Sequence, residues 1–348
     1  MRLIKKIKKT YFYSIFLRFI FIPFYSILWE FLLNFKNKIV SIIFKFKTIN
    51  QEYIDLNKNS KKLVIENKTF QKFSEKINKD LSDQFLKKKI DELKSADYKK
   101  KFLANTKNEA IAKNPFLINV FSDLDLSTKK EIINFATSDF MLKTACNYLG
   151  VFPILARIYL NINIPVDNRQ TSSQLWHRDD FGYKNLDFFL ALNEINDKNG
   201  PLITLKKKDP YNIFYRIEKE IDSNLKGERG KILDKDFSLY RSDKEENLEI
   251  LKGKSGSAMF IDSIRNYHKG GYCRSGTRII LRINYMTPDS TYPLEQLNEE
   301  RSEWIKYINE KNFFNIYSLR KRNWIFKILK IPEVLFTLYH AVSIKVNE

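Results

Sequence analysis

"ILARIYLNINIP" (residues 154–165) and "TRIILRINY" (277–285) share one pattern, and reading it decides the fold. Apolar and polar residues alternate with a period of two, and in a strand successive side chains leave by opposite faces. In the first stretch Ala156, Ile158, Leu160 and Ile162 form an apolar face opposite Arg157, Tyr159, Asn161 and Asn163. In the second, Ile279, Leu281, Ile283 and Tyr285 lie opposite Arg278, Ile280, Arg282 and Asn284. One apolar and one polar face per strand suits a small barrel whose interior binds a ligand. "LDFFLALNEI" (186–195) reads as a buried strand closed by the turn "NDKNGP", and "GSAMFID" (256–262) as a short strand after a glycine turn. The expected fold is therefore α+β with a mainly β core.

Short helices introduce this core. "STKKEIINFA" (127–136) opens with a capping-box spacing from Thr128 to Glu131. "SDFMLKTACNYLG" (138–150) starts at a capping Ser138 or Asp139 and stops at Gly150. Residues 50–110, rich in Lys, Asn, Asp and Glu, read as solvated helices or a helical linker. Residues 206–250 are charged and poorly periodic, as in an insertion or lid. The chain thus divides into a basic aromatic segment (1–48), a helical or linker region (49–114), the β domain (115–295) and basic amphipathic C-terminal helices (296–348).

The formal charge of +20 is concentrated at the ends. Residues 1–50 hold ten Lys/Arg against Glu30 alone, and residues 301–348 hold nine against four acids. A nucleic-acid binder carries its basic stripe on the folded body, so nucleic acid is not the expected partner. Basic charge on aromatic, apolar ends suits an anionic membrane surface. On a helix Ser14, Arg18, Ser26 and Glu30 form one polar stripe within the apolar Tyr11–Leu33 run. That predicts attachment at the interface, with a spanning helix and packing on the protein's own core as alternatives. The expected location is cytoplasmic, peripheral to the inner face of the membrane. Cys146 and Cys273 have neither a disulfide-framework nor a metal-site spacing, and read as buried thiols in a reducing compartment.

The chain holds three histidines. One is in "QLWHRDDFG" (174–182), where His177 and Asp179 stand one residue apart. On a helix they would diverge; on a strand both leave by the same face and reach one metal ion. Asp180, on the opposite face, reads as a solvated or turn residue. His268 follows in "SIRNYHKGGYCRSGTR", ten residues before Arg278. Two imidazoles and a carboxylate with open positions describe the facial triad of non-haem Fe(II) oxygenases. A planar, permanently charged Arg is suited to holding a carboxylate co-substrate through two hydrogen bonds. Asp262 reads as a turn cap and His340 as structural.

Taken together, "WHRDD…DKNGPL…GSAMFIDSIRNYHKGG…RSGTRIILRINY" resembles the Fe(II)/2-oxoglutarate oxygenases of the phytanoyl-CoA dioxygenase type over roughly residues 115–290. The resemblance implies a double-stranded β-helix (a jelly-roll, cupin-like barrel) with flanking helices. It implies Fe(II) on His177, Asp179 and His268, and 2-oxoglutarate held by Arg278, with Arg282 on the same face as the other choice. Such enzymes convert 2-oxoglutarate to succinate and CO₂ while oxidising a substrate, here a small or lipid-linked molecule. Relatives place Ser or Thr two residues after the distal histidine; this chain has Gly270. Their second co-substrate contact, a Lys or Gln, is represented here by Asn161, Asn163 or Gln174. Asp179, where related halogenases have a small residue, points to hydroxylation. The competing function is a metal-binding barrel without oxygenase turnover, such as an isomerase or sensor.

Overall fold

The computed structural model describes residues 53–56, 63–95, 116–150, 153–165, 172–179, 184–206, 237 and 247–287. The basic ends (1–48 and 296–348), Asp180, His340 and nearly all of 206–250 lie outside the described residues.

The described elements are β1 (Val64–Glu66), α1 (Lys68–Asp80), α2 (Asp83–Lys94), β2 (Leu117–Asn119), α3 (Leu126–Ala136), α4 (Asp139–Leu149), β3 (Ile154–Asn163) and β4 (Asn185–Ala191). They continue with β5 (Ile203–Leu205), β6 (Leu248–Ile250), β7 (Ser257–Ile261), β8 (His268–Lys269) and β9 (Arg278–Met286). Two antiparallel sheets result, one of six strands in the order β1-β7-β4-β9-β3-β2 and one of three in the order β6-β5-β8. The fold is thus mixed α/β.

The two alternating stretches pair with each other in the centre of the large sheet, from Ile154 opposite Met286 to Asn163 opposite Arg278. An irregularity between Leu155 and Arg157 shifts the register once. Their apolar faces behave as the period predicts: Ile158, Leu160, Ile162, Ile279, Leu281, Ile283 and Tyr285 all join one core. The opposite face carries Tyr159, Asn161, Asn163, Arg278 and Arg282 into a cavity.

The helices cover the apolar face. α4 is capped by Ser138, whose Oγ accepts from the Met141 amide, and ends at Gly150 with φ +74°. That left-handed conformation is one a glycine adopts without a Cβ penalty. The start of α3 differs from expectation. Asp125 is the cap, accepting from the Thr128 amide at 2.9 Å and the Thr128 hydroxyl at 2.7 Å, so Thr128 already lies inside the helix. A carboxylate taking both donors outcompetes a hydroxyl for that position.

Residues 64–94 are more than solvated helix. β1 pairs with β7 at the sheet edge, and α1 sets Phe70 into the core. The Phe70 ring lies 5.0 Å from that of Phe188 and 6.2 Å from that of Phe260, while Phe73 stacks on Phe135 at 3.9 Å. Phe70 is fully buried. Phe70→Ala is expected to cost about 3–5 kcal/mol, the range for emptying a buried aromatic site. Urea unfolding checks this; a change near zero would mean that α1 is an accessory rather than part of the core. No helix among the described residues is long and apolar enough to cross a membrane.

Candidate metal centre

His268 lies on β8, and His177 faces it as a single antiparallel bridge rather than within a long strand. Each backbone N–H donates to the other residue's carbonyl, at 3.0 and 2.9 Å. A pair joined this way presents both side chains on the same side, and the two imidazole centroids are 4.3 Å apart. Asp179, two residues on, is fastened by its own amide to the Ser263 carbonyl at 2.8 Å. Asp179 itself lies outside any strand, yet His177, Asp179 and His268 each offer a ligand atom, all within 4.8 Å of one another.

Hydrogen bonds fix which imidazole nitrogen does the offering. His177 Nδ1 lies 2.7 Å from the Leu175 carbonyl, and His268 Nδ1 lies 3.0 Å from the Asn266 carbonyl. A carbonyl only accepts, so each Nδ1 carries the proton and each Nε2 keeps its lone pair. Burial disfavours the charged form of His268 and outweighs the nearby Asp179, so its pKa is lowered. Burial pushes the Asp179 pKa up. The Arg282 charge, both histidines and the Ser263 hydroxyl overcome it and hold the group below the usual carboxylate range. Two imidazole Nε2 atoms and one carboxylate are the donors a divalent first-row ion such as Fe(II) accepts. The residues present fit that ion.

His177 and His268 border a cavity of about 300 Å³, and Asp179 is not among its lining residues. Arg278 enters it from β9 and is 7% exposed. Its Nε donates to Asn163 Oδ1 at 3.4 Å and its Nη1 to the Gly200 carbonyl. Both acceptors are neutral, and among the described residues no carboxylate pairs with Arg278. Burial lowers its pKa to about 10, which still leaves it charged at neutral pH. Arg282, the other choice of clamp, has its charge already met: Nε donates to Asp187 Oδ1 at 2.7 Å, and Nη2 reaches Asp187 Oδ2 at 3.0 Å and Asp179 Oδ2 at 3.2 Å.

Asn161 lines the cavity, as does Asn163; Gln174 is buried and is not among the lining residues. Gly270 lines it too, and a Cβ there would sit 3.6 Å from Arg278 Nη2. Asp262 is the turn cap expected, accepting from the Ile264 and Arg265 amides and from the Tyr148 hydroxyl at 2.7 Å. Cys146 and Cys273 are buried thiols, and burial lifts the former to about 12. Asp187, wholly buried on β4, is a site residue that sequence reading missed. Its signal was parity: Asp187 alternates with Leu186 and Phe188 and stands opposite Asn284 on β9, on the polar face.

The "NGP" turn and the "HKGG" segment meet at this site. Gly200, with φ +76°, would place a Cβ 2.6 Å from the Gly271 carbonyl oxygen, and a Cβ on Gly271 would collide with the Pro201 carbonyl oxygen. This backbone contact holds the Gly200 carbonyl where Arg278 reaches it. Gly271→Ala is expected to cost about 1–3 kcal/mol through overpacking. Gly276→Ala, with φ +74° but nothing within 4 Å, bears only the backbone strain of about 1–2 kcal/mol. Parallel urea titrations, with 2-oxoglutarate affinity measured alongside, check the pair. Gly271→Ala is expected to lower that affinity and Gly276→Ala to leave it unchanged.

No protein-family model matches the chain, and no curated protein matches it. Among solved structures it is similar to non-heme and 2-oxoglutarate-binding proteins. EctD from S. alaskensis, crystallised with 2-oxoglutarate and 5-hydroxyectoine, is 15% identical with a TM-score of 0.40, over 70% of this chain and 80% of that one. The non-heme monooxygenase ThoJ is 14% identical with a TM-score of 0.36, over 68% and 78%. The non-heme alpha ketoglutarate dependent epimerase SnoN from nogalamycin biosynthesis is 13% identical with a TM-score of 0.29; the match covers 46% of this chain and 57% of SnoN. Identities this low leave the assignment of chemistry to the side chains described above.

Proposed function

We propose that this chain is an Fe(II)- and 2-oxoglutarate-dependent oxygenase. One observation carries the reading: the His177, Asp179 and His268 donor atoms converge beside a cavity that also receives a buried guanidinium, Arg278, with no carboxylate partner among the described residues. His177 and His268 supply Nε2 donors and Asp179 a carboxylate oxygen. Arg278 takes the distal carboxylate of 2-oxoglutarate through a forked pair of hydrogen bonds, with Asn163 orienting its Nε side. Asn161 is the polar neighbour nearest in character to a second co-substrate contact. Phe189, Leu202 and Ile280 give the cavity an apolar wall that limits water near the reacting groups. Iron held there supplies O₂ activation coupled to conversion of 2-oxoglutarate to succinate and CO₂, with one oxygen atom passing to the substrate as a hydroxyl. Succinate release that requires both Fe(II) and 2-oxoglutarate, and stops with a chelator, tests the reading. Tight metal binding without 2-oxoglutarate binding would instead favour an isomerase or sensor.

Within this reading the two sheets are the walls of a double-stranded β-helix, and the resemblance of the sequence motifs supports the phytanoyl-CoA dioxygenase type. The 206–250 segment serves as the insertion or lid of the 115–295 domain. The substrate is a small or lipid-linked molecule met at the inner face of a membrane. The support for that location is the pair of basic aromatic ends, 1–48 and 296–348. Each Lys or Arg near anionic lipid contributes about 1 kcal/mol, and two such segments on one chain act together. The full chain is therefore expected to sediment with phosphatidylserine-containing vesicles and to be released in part by high salt. Equal recovery in the supernatant with and without vesicles would rule out membrane attachment.

A further inference from the structure

Asp179 is held by an arrangement that settles how its carboxylate can be used. Its Oδ2 accepts from the Ser263 hydroxyl at 2.8 Å and from Arg282 Nη2 at 3.2 Å. A carboxylate oxygen has about two lone-pair sites, so Oδ2 is fully engaged while the Ser263 proton points to it. Among the described residues Oδ1 accepts no hydrogen bond. The two donors to Oδ2 differ in constancy. Ser263 has one hydroxyl hydrogen and two carboxylate neighbours, since Asp187 Oδ2 lies 2.6 Å away. When its proton turns toward Asp187, Arg282 is the donor that remains on Asp179.

Arg282 is itself immobilised from behind. Asp187 takes its Nε and Nη2, and is in turn braced by Asn284 Nδ2 at 2.9 Å and Asn185 Nδ2 at 3.4 Å. The guanidinium therefore spans two carboxylates, one structural and one at the metal site. It cancels one of their two charges and leaves this trio of side chains net negative.

Resting on the metal reading above, we propose that Arg282, anchored by Asp187, is a positioning residue that makes Asp179 a one-oxygen ligand. It occupies Oδ2 and presents Oδ1 alone to the metal. The consequence is a coordination position kept open that a chelating carboxylate would fill.

Mn(II) bound to the full chain without co-substrate reports this directly, through the number of coordinated waters measured by water-proton relaxation. Three single-atom protein donors leave about three water positions on a six-coordinate ion, whereas a chelating Asp179 leaves about two. The wild-type chain is expected to show the higher number, and Arg282→Gln about one fewer. A folding defect alone changes the fraction of chains that bind, not the waters per bound ion. The double variant Arg282→Leu, Asp187→Leu removes the ion pair together, so that no unpaired charge stays buried. It is expected to lose the same water. A wild-type value already at the lower number, or an undiminished number in either folded variant, overturns the proposal. Absence of any Mn(II) binding by the wild-type chain would instead remove the metal reading on which it stands.

Discussion

In His177→Ala, and equally in His268→Ala, divalent-metal affinity is expected to fall by more than 100-fold and Fe(II)-dependent turnover to vanish. Loss of a group that merely orients a ligand costs about 10–100-fold, and these residues are proposed as the ligands themselves. The fold should survive both changes. His177 is only partly buried and belongs to neither hydrophobic face, and its backbone bonds to His268 do not depend on the imidazole. Calorimetric titration with Mn(II), beside circular dichroism of the same samples, separates the two effects. Wild-type affinity in a folded His177→Ala chain would remove His177 from the site. The His268 variant makes the same point from the better-buried side, because nothing else among the described residues places a third donor beside the pair.

The sequence made the centre of the fold legible for a physical reason. β3 and β9 are long, face a core on one side and a cavity on the other, and so show the two-residue period over eight or more positions. His177, His268 and Arg278 meet at one cavity with Asp179 beside them, but His177 and Asp179 arrive through an isolated bridge and a loop rather than through the period of a long strand. Features set by distant partners were not legible. β1 is three residues long, and only its pairing with β7 makes it a strand. Phe237 sits in a stretch without periodicity, yet stacks on Trp176 with centroids 4.2 Å apart, a contact between residues distant in sequence. Gln174 and Asn161 were equally plausible neighbours of the co-substrate by residue type. Which of them borders the cavity depends on how the 172–174 turn packs, and local propensity does not encode that. Asp187 is the instructive omission: in "LDFFLAL" it reads as one acid in an apolar run, and its role appears only when β9 supplies Arg282 and Asn284 across the ladder.

Arg278 and Arg282 share a face, four residues apart, and the structure gives them different work, so substitutions should separate them. Arg278→Ala is expected to raise the 2-oxoglutarate requirement by more than 100-fold. Removing one partner of a buried charged pair costs about 3–5 kcal/mol, and each 1.4 kcal/mol is about a factor of ten. Metal affinity measured without 2-oxoglutarate should hardly change, since the hydrogen bonds of Arg278 among the described residues go to Asn163 and Gly200 and not to the metal-site side chains. Arg278→Lys should fall between, keeping the charge at the cavity but losing the fork that meets both carboxylate oxygens. Arg282→Ala should show the opposite pattern, with its first effect on the metal and only a secondary one on the co-substrate. Each variant therefore needs two titrations: Mn(II) alone, then 2-oxoglutarate at saturating Mn(II). If Arg282→Ala leaves metal binding intact and abolishes 2-oxoglutarate binding while Arg278→Ala does not, the clamp has been assigned to the wrong arginine. The buried charge of Arg278 would then need another counter-ion, which no carboxylate among the described residues supplies.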